Sequence, residues 1–321
     1  MGEEYRNKLL FELAQDARIR QREISKKLKI SPQRANYTIQ KLRTENIITA
    51  FETIIDPARF ALTNIIVVLA YTNFAKNTQK AILDFLKESE QVTYLDEISQ
   101  GADLIVEYSV PNLSSFNKAH TAFLEEFSQE VKVVDIFPVI VKHLFPKRYL
   151  YRRSKASEEM VLSGDREPAD LSENTKKIIQ ILMEDPAKKV VDISRETDLN
   201  VRTVTKTIQQ LQSKRIIRGY TIRLNNEALH ISVGNVFIRI RNPTQKFMSR
   251  FIEFCKQIPE ITQINKLIGH HNLFIRIESL HEYRNVLDRL RAEFKFYEYT
   301  VYDSSSILKN TYIPFSEVKI L

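Results

Sequence analysis

The sequence predicts an α+β protein built as two winged helix-turn-helix domains, each followed by a ferredoxin-like βαββαβ domain. Three observations predict it. The chain repeats itself at an offset of 169 residues, each half opens on three short helical patterns and a strand-like run, and each half closes on strands and helices alternating as βαββαβ. The repeat aligns without a gap. Ile24-Ser25 falls on Ile193-Ser194, Thr38-Ile39-Gln40 on Thr207-Ile208-Gln209, Leu42 on Leu211, and Ile47-Ile48 on Ile216-Ile217. It persists to Val92-Thr93 on Ile261-Thr262 and Asp103-Leu104 on Asn272-Leu273. Solenoid units run only about 20–50 residues, so this is a duplicated domain pair. Positions kept in both copies point to architecture, and positions that differ point to function.

Each element follows from its residues. In the first half Leu9, Leu10 and Leu13 carry amphipathic helical spacing. A second helix, roughly 20–28, holds Ile24 and Leu28 on one face. After a break at Lys29-Ile30, Ser31-Pro32 opens a third helix as N-cap and first-turn proline. Its inner stripe is Ala35, Ile39 and Leu42. Ile47 to Ile55, rich in β-branched and aromatic residues, predicts a small β-hairpin or wing. The second half repeats this through Ile178/Ile179/Leu182, Ile193, Val204/Ile208/Leu211 and Ile216 to Leu224. A tight connection between helices two and three sets them at a steep angle and exposes the outer face of the third.

Downstream, Ile65 to Tyr71 and Val236 to Ile240 are strand-like, with helices at about 76–88 and 244–256. Strand pairs at 92–99 with 102–109 and 261–268 with 271–278 flank turns. Helices at 113–127 and 281–293, then strands at 131–141 and 296–306, complete each unit. Such an antiparallel sheet carries helices on one face, and its open face needs a cover. The second copy is the expected one, paired face to face within one chain or between chains in a β-sandwich-like core. The expected domains are 1–60 and 171–229 (winged helices), 61–151 and 230–321 (ferredoxin-like), with 152–170 an irregular, protease-sensitive linker.

Composition bounds the function. The 321 residues are 43% hydrophobic and 27% charged, as in an ordinary soluble protein. Net charge of +8 favours polyanionic partners such as nucleic acid. Glu12 interrupts the apolar run Leu9 to Leu13, and no stretch approaches a membrane span, so a cytoplasmic location without membrane contact is expected. A single cysteine, Cys255, excludes an intrachain disulfide, and within an apolar helical stretch it predicts a packed core thiol. No P-loop, nucleophile elbow or H-E-x-x-H motif is present. No cofactor or metal is expected. The adjacent His270 and His271 are the one suggestive pair, and neighbouring side chains near a strand point to opposite faces, which makes a poor bidentate metal site.

Specific motifs narrow this further. Leu199-Asn200-Val201-Arg202-Thr203-Val204 opens the third helix of the second half, Ile216-Ile217-Arg218-Gly219-Tyr220 leaves it, and Gly269-His270-His271-Asn272 forms a later turn. The first half reads Ile30-Ser31-Pro32-Gln33-Arg34-Ala35, Ile47-Ile48-Thr49-Ala50-Phe51 and Gln100-Gly101-Ala102-Asp103. In order, and twice, these resemble the Lrp/AsnC (feast/famine) family of transcription regulators, whose patterns there are L-S-x-x-x-V, G-I-I-x-G-Y and G-x-x-D. Asn200 and Asn272 depart from the Ser and Asp of those patterns, and Ala50-Phe51 from Gly-Tyr. The family's usual chain is one unit; here two are fused.

The resemblance implies a sequence-specific regulator of double-stranded DNA that self-associates through its ferredoxin-like (RAM-type) domains and responds to an amino acid or other small effector. If the third helix of each unit enters the major groove, the outward residues are Gln33, Arg34, Asn36, Tyr37 and Gln40 in one half. In the other they are Arg202, Thr203, Thr205, Lys206 and Gln209. These types suit base edges. Lys41, Arg43, Lys214, Arg215, Arg218 and Arg223 are candidates for phosphate contacts, which fix register rather than sequence. The family's effector turn maps onto Gly101 and Asp103, and onto Gly269, His270, His271 and Asn272. An alternative on the same fold resembles the sirohaem decarboxylases, which lack DNA binding; His270, His271, Arg276 and Arg239 are its candidate residues. A metabolite-sensing module without DNA binding is a third option.

Overall fold

A computed structural model describes residues 2–153, 159–241 and 243–318. The leucines at 9, 10 and 13 turn one face of α1 (Glu3–Gln15) inward against α2 (Gln21–Leu28) and α3 (Pro32–Thr44). Lys29, in the left-handed conformation, ends α2, and Ser31 Oγ accepts from Arg34 N at 3.2 Å to start α3. The second unit uses the same devices. Asp198 ends α7 (Val190–Thr197), and Asn200 Oδ1 accepts from Thr203 N at 2.8 Å to cap α8 (Val201–Ser213) beside α6 (Glu173–Glu184). Both third helices stop at a left-handed residue, Asn46 and Arg215. The next N–H then folds back, Ile47 to Leu42 O and Ile216 to Leu211 O, each at 2.9 Å.

The expected wings take a different form. Ile48–Ile55 (β1) and Ile217–Leu224 (β7) are single strands that pair with each other, antiparallel, across the two units. A strand-rich run has the same periodicity whether its partner is local or remote, so the pattern fixed the strand and left its partner open. The register sets Glu52 opposite Thr221, its own counterpart in the repeat. A pseudo-twofold axis therefore passes through this pair, as the true axis does in an isologous dimer. One apolar core joins both helical triplets to β1 and β7.

The ferredoxin-like units are β2 (Thr63–Tyr71), α4 (Lys76–Glu88), β3 (Val92–Gln100), β4 (Leu104–Val110), α5 (Leu113–Phe127) and β5 (Val131–Leu144), then β8 (Ser232–Arg239), α9 (Gln245–Lys256), β9 (Ile261–Leu267), β10 (Leu273–Ser279), α10 (Arg284–Glu293) and β11 (Glu298–Asn310). Their sheets join along both edges. The order is β2-β4-β3-β11-β8-β10-β9-β5, and β5 also pairs with β2, so the pairing closes on itself. The result is a flattened barrel rather than two merely stacked sheets. Joining removes edges that would otherwise invite foreign strands. Each unit's helices cover its outer face, with Cys255 buried beneath α9.

Between the sheets lies a shared core containing Ile66, Val68, Phe137, Phe237, Phe274 and Tyr302. Phe137 of one unit stacks on Phe237 of the other at 5.0 Å. Toward the helical layer the same interior turns polar: Asn64, Asp96, Glu107, Asn235, Arg276 and Glu278 are all buried. Within the expected linker, Met160–Ser163 (β6) adds to β5 and buries Leu162 and Ser163; residues 154–158 lie outside the described residues.

Candidate nucleic-acid interface and ligand clefts

The third helices expose what the repeat marked as outward. On α3, Gln33, Arg34, Asn36, Tyr37, Gln40, Lys41 and Arg43 are all exposed, Tyr37 to 69%. Beneath them Ala35 and Leu42 are buried; Thr38 is buried too, its hydroxyl returning to Arg34 O at 2.8 Å, while Ile39 is half-buried. On α8, Arg202, Thr203, Lys206 and Gln209 are exposed, and Lys214 just beyond it. Val204, Ile208 and Leu211 form its buried stripe. Thr205 is half-buried and bonds back to Val201 O at 2.7 Å, which turns its hydroxyl toward its own helix.

Two expected phosphate contacts stand elsewhere. Arg223 is drawn into the β1–β7 pair, where Nε meets Glu52 at 2.6 Å with a side chain only 19% exposed. Its partner lies in the other unit, so this role is structural. Arg218 is half-buried, and burial together with the charges of Arg166 and Arg215 lowers its affinity for a proton. Exposed Arg215 remains a candidate. Sequence reasoning missed further exposed cations on the second helices: Arg20 and Arg22 before and on α2, Lys189 and Arg195 before and on α7. The first helix of a helix-turn-helix crosses the DNA backbone, and that geometry was the available signal.

The two turns expected to bind an effector are built alike. Asp103 Oδ2 accepts from Tyr71 N at 2.7 Å, and Asn272 Oδ1 accepts from Ile240 N at 2.9 Å. Asn272 also donates Nδ2 to Ile240 O at 2.8 Å. Each side chain thus clamps the end of the unit's first strand, and Asn serves as well as Asp because the partner is backbone. The glycines are needed there. Gly101 has φ +95, and a Cβ would come within 2.9 Å of Tyr302; Gly269 has φ +143, and a Cβ would meet Phe137 at 3.0 Å. Both turns therefore press on the opposite unit.

The second turn lines a cleft of about 510 Å³ with Arg239, Arg241, His270 and Tyr297. His270 Nε2 lies 2.9 Å from Glu298 Oε2, and Arg239 is 3.7 Å from the same carboxylate. His271 is buried against Phe137 and Phe237, and burial, then His270, disfavours its protonated form. Despite adjacency, ligand atoms of His270, His271 and Glu298 lie within 4.8 Å of one another. Opposite faces did not separate them, because the histidines sit in the turn before β10. Arg276, the fourth candidate of the tetrapyrrole reading, lies apart from this cleft in the barrel's polar interior, bonded to Asp96 at 3.0 Å.

A family described as winged helix-turn-helix DNA-binding matches residues 3–49 and again 171–218. The HTH-type transcriptional regulator FL11 of Pyrococcus furiosus is 29% identical over 120 residues, covering 37% of this chain and 78% of that protein. The glutamate uptake regulatory protein of Zymomonas mobilis is 22% identical over 146 residues, covering 44% of this chain and 88% of that protein. Among solved structures, the siroheme decarboxylase NirDL superposes with a TM-score of 0.59 at 13% identity, covering 98% of each chain. That similarity is one of fold, and it extends over both units. No helix among the described residues is long and apolar enough to cross a membrane. By these matches each half of the chain is similar to winged helix-turn-helix regulators of the Lrp/AsnC type, in a tandem arrangement of two units.

Proposed function

We propose that this chain is a sequence-specific, DNA-binding transcription regulator in which one polypeptide does the work of a dimer. The carrying observation is the contrast between the faces of α3 and α8. Their buried stripes coincide in the repeat, while their exposed faces offer Gln33, Arg34, Asn36 and Tyr37 on one and Arg202, Thr203, Lys206 and Gln209 on the other. A homodimer carries identical readers and favours a palindrome. Two unlike readers about a pseudo-twofold axis favour unlike half-sites. Relatives named as a transcriptional regulator and as a regulatory protein support the reading. A salt-sensitive gel shift with promoter fragments tests it, since phosphate neutralisation makes affinity fall with salt; no shift at low salt contradicts it.

Modulation by an amino acid belongs to the same proposal. The cleft at Gly269 and His270, with Arg239 and Arg241 for a carboxylate, is its candidate place. An effector changes DNA affinity only by its differential affinity between assembled states. Gel shifts with and without a panel of amino acids test this, and unchanged affinity with all of them removes it.

One observation favours a second reading, the full-length superposition on a siroheme decarboxylase. A tetrapyrrole carries several carboxylates and needs a large site ringed by cations. Here Arg276 lines a different cavity from Arg239 and His270, so these candidates are not gathered in one site. A saturable shift of the visible absorption band of sirohaem on mixing with the chain would favour this reading, and an unshifted band disfavours it.

A further inference from the structure

Between the helical layer and the polar end of the barrel lies a cavity of about 130 Å³. Ile54 and Ile222 of the β1–β7 pair line one side, and Tyr94, Arg276 and Glu278 of the barrel line another. A water-sized group needs roughly 10–15 Å³ of such space, so the cavity takes a molecule of about ten non-hydrogen atoms. The side chain of Arg276 is only 6% exposed. Its Nε donates to Glu278 at 3.1 Å, and Nη1 lies within reach of Tyr94 Oη, Asp96 and Asn235 at 2.8–3.0 Å. Nη2 is buried and meets no acceptor among the described residues.

Leaving a charged donor unmet is costly, so this N–H calls for an acceptor. Nearby carboxylates are already engaged on both oxygens. Glu278 holds Arg276 and Thr262 on Oε1, and Lys147 and Tyr149 on Oε2. Glu52 holds Arg223 on Oε1 and Asn310 on Oε2. Much of the remaining wall is apolar, with Ile54, Ile222, Leu224 and Phe145.

We infer that this cavity binds a small monocarboxylate with an apolar tail, its carboxylate on Arg276 Nη2 and its tail against Ile54, Ile222, Leu224 and Phe145. The engaged state of Glu52 and Glu278 leaves no free carboxylate for an ammonium group. The ligand class is therefore a short branched fatty acid or 2-oxo acid rather than an α-amino acid, and the site is separate from the cleft at His270. The cavity wall includes the strands that join the two DNA-reading units, so occupancy bears on their spacing. That last step rests on the DNA-binding reading; the binding itself does not.

Titration calorimetry of the full chain with isovalerate, 4-methyl-2-oxopentanoate and leucine tests the inference. The expected result is saturable binding of at least one of the two acids, at least tenfold tighter than leucine. Ile307→Trp, which fills the cavity from a half-buried wall position, abolishes it, and Arg276→Lys weakens it at least tenfold. Should Ile307→Trp fail to fold, Asn226→Phe fills the same space from another half-buried position. No saturable heat from either acid overturns the site and shows that water alone meets the Arg276 donor. Tighter binding of leucine overturns the ligand class, and unchanged binding in the filled variant overturns the location. DNA affinity measured without acid reports on the DNA-binding reading separately.

Discussion

Glu278 shows how a single residue ties stability to pH in this chain. Burial alone would raise its carboxyl, but Lys147, then Arg276, outweigh burial and hold it at about 2 against an ordinary 4.5. A depressed carboxyl contributes stability that is complete above the unfolded value and is lost as pH falls through the folded one. Urea unfolding should therefore show a midpoint falling between pH 4.5 and about 2. Glu278→Gln should flatten that fall and, at neutral pH, cost about 3–5 kcal/mol by stranding Lys147 and Arg276. Equal slopes in both proteins would contradict the account. On the reading face, Arg202→Ala should cost about 1–3 kcal/mol at one base position, while Lys214→Ala should weaken all sequences and reduce the salt slope by about 1. Binding to a panel of single-base variants at several salt concentrations separates the two. The outward residues were legible because the repeat fixed the buried stripes twice. Arg223 was not, because Glu52 lies 171 residues away and no local spacing announces it.

Elements were legible wherever their cause was local. The caps at Ser31 and Asn200 and the left-handed residues after both third helices follow from short-range chemistry. The cross-unit pairing of β1 with β7 does not, since the partner is remote in sequence; β6 was missed for another reason, being only four residues inside a largely polar stretch. The effector turns lie between these cases. Their residues were found by resemblance, yet Asp103 and Asn272 meet backbone at the strand ends. Asp103→Ala should accordingly lower unfolding stability by about 1.5–3 kcal/mol without any ligand, and Asp103→Asn should restore most of it. Thermal or urea unfolding checks both. A fully stable alanine variant would mean that the clamp is incidental and the residue is kept for binding.

At the scale of the whole molecule, the halves have become complementary. Glu107, buried with Lys142 at 2.8 Å, occupies the position that Arg276 holds in the other half. Two copies of either half would place like charges where this chain places opposite ones. The first unit alone, residues 1–151, would also leave β3 and β5 without their partners β11 and β9. Exposed edges of that kind associate, so sedimentation of this fragment should show oligomers or aggregate, and a stable monomer would contradict the closed ring. The same asymmetry reaches the DNA-reading faces, where the pseudo-twofold axis through Glu52 and Thr221 relates two unlike helices. Selection of bound DNA from random oligonucleotides tests this most directly. The account predicts one enriched site with two dissimilar half-sites at fixed spacing, one altered by Asn36→Ala and the other by Arg202→Ala; a clean palindrome, or no enrichment at all, would contradict it.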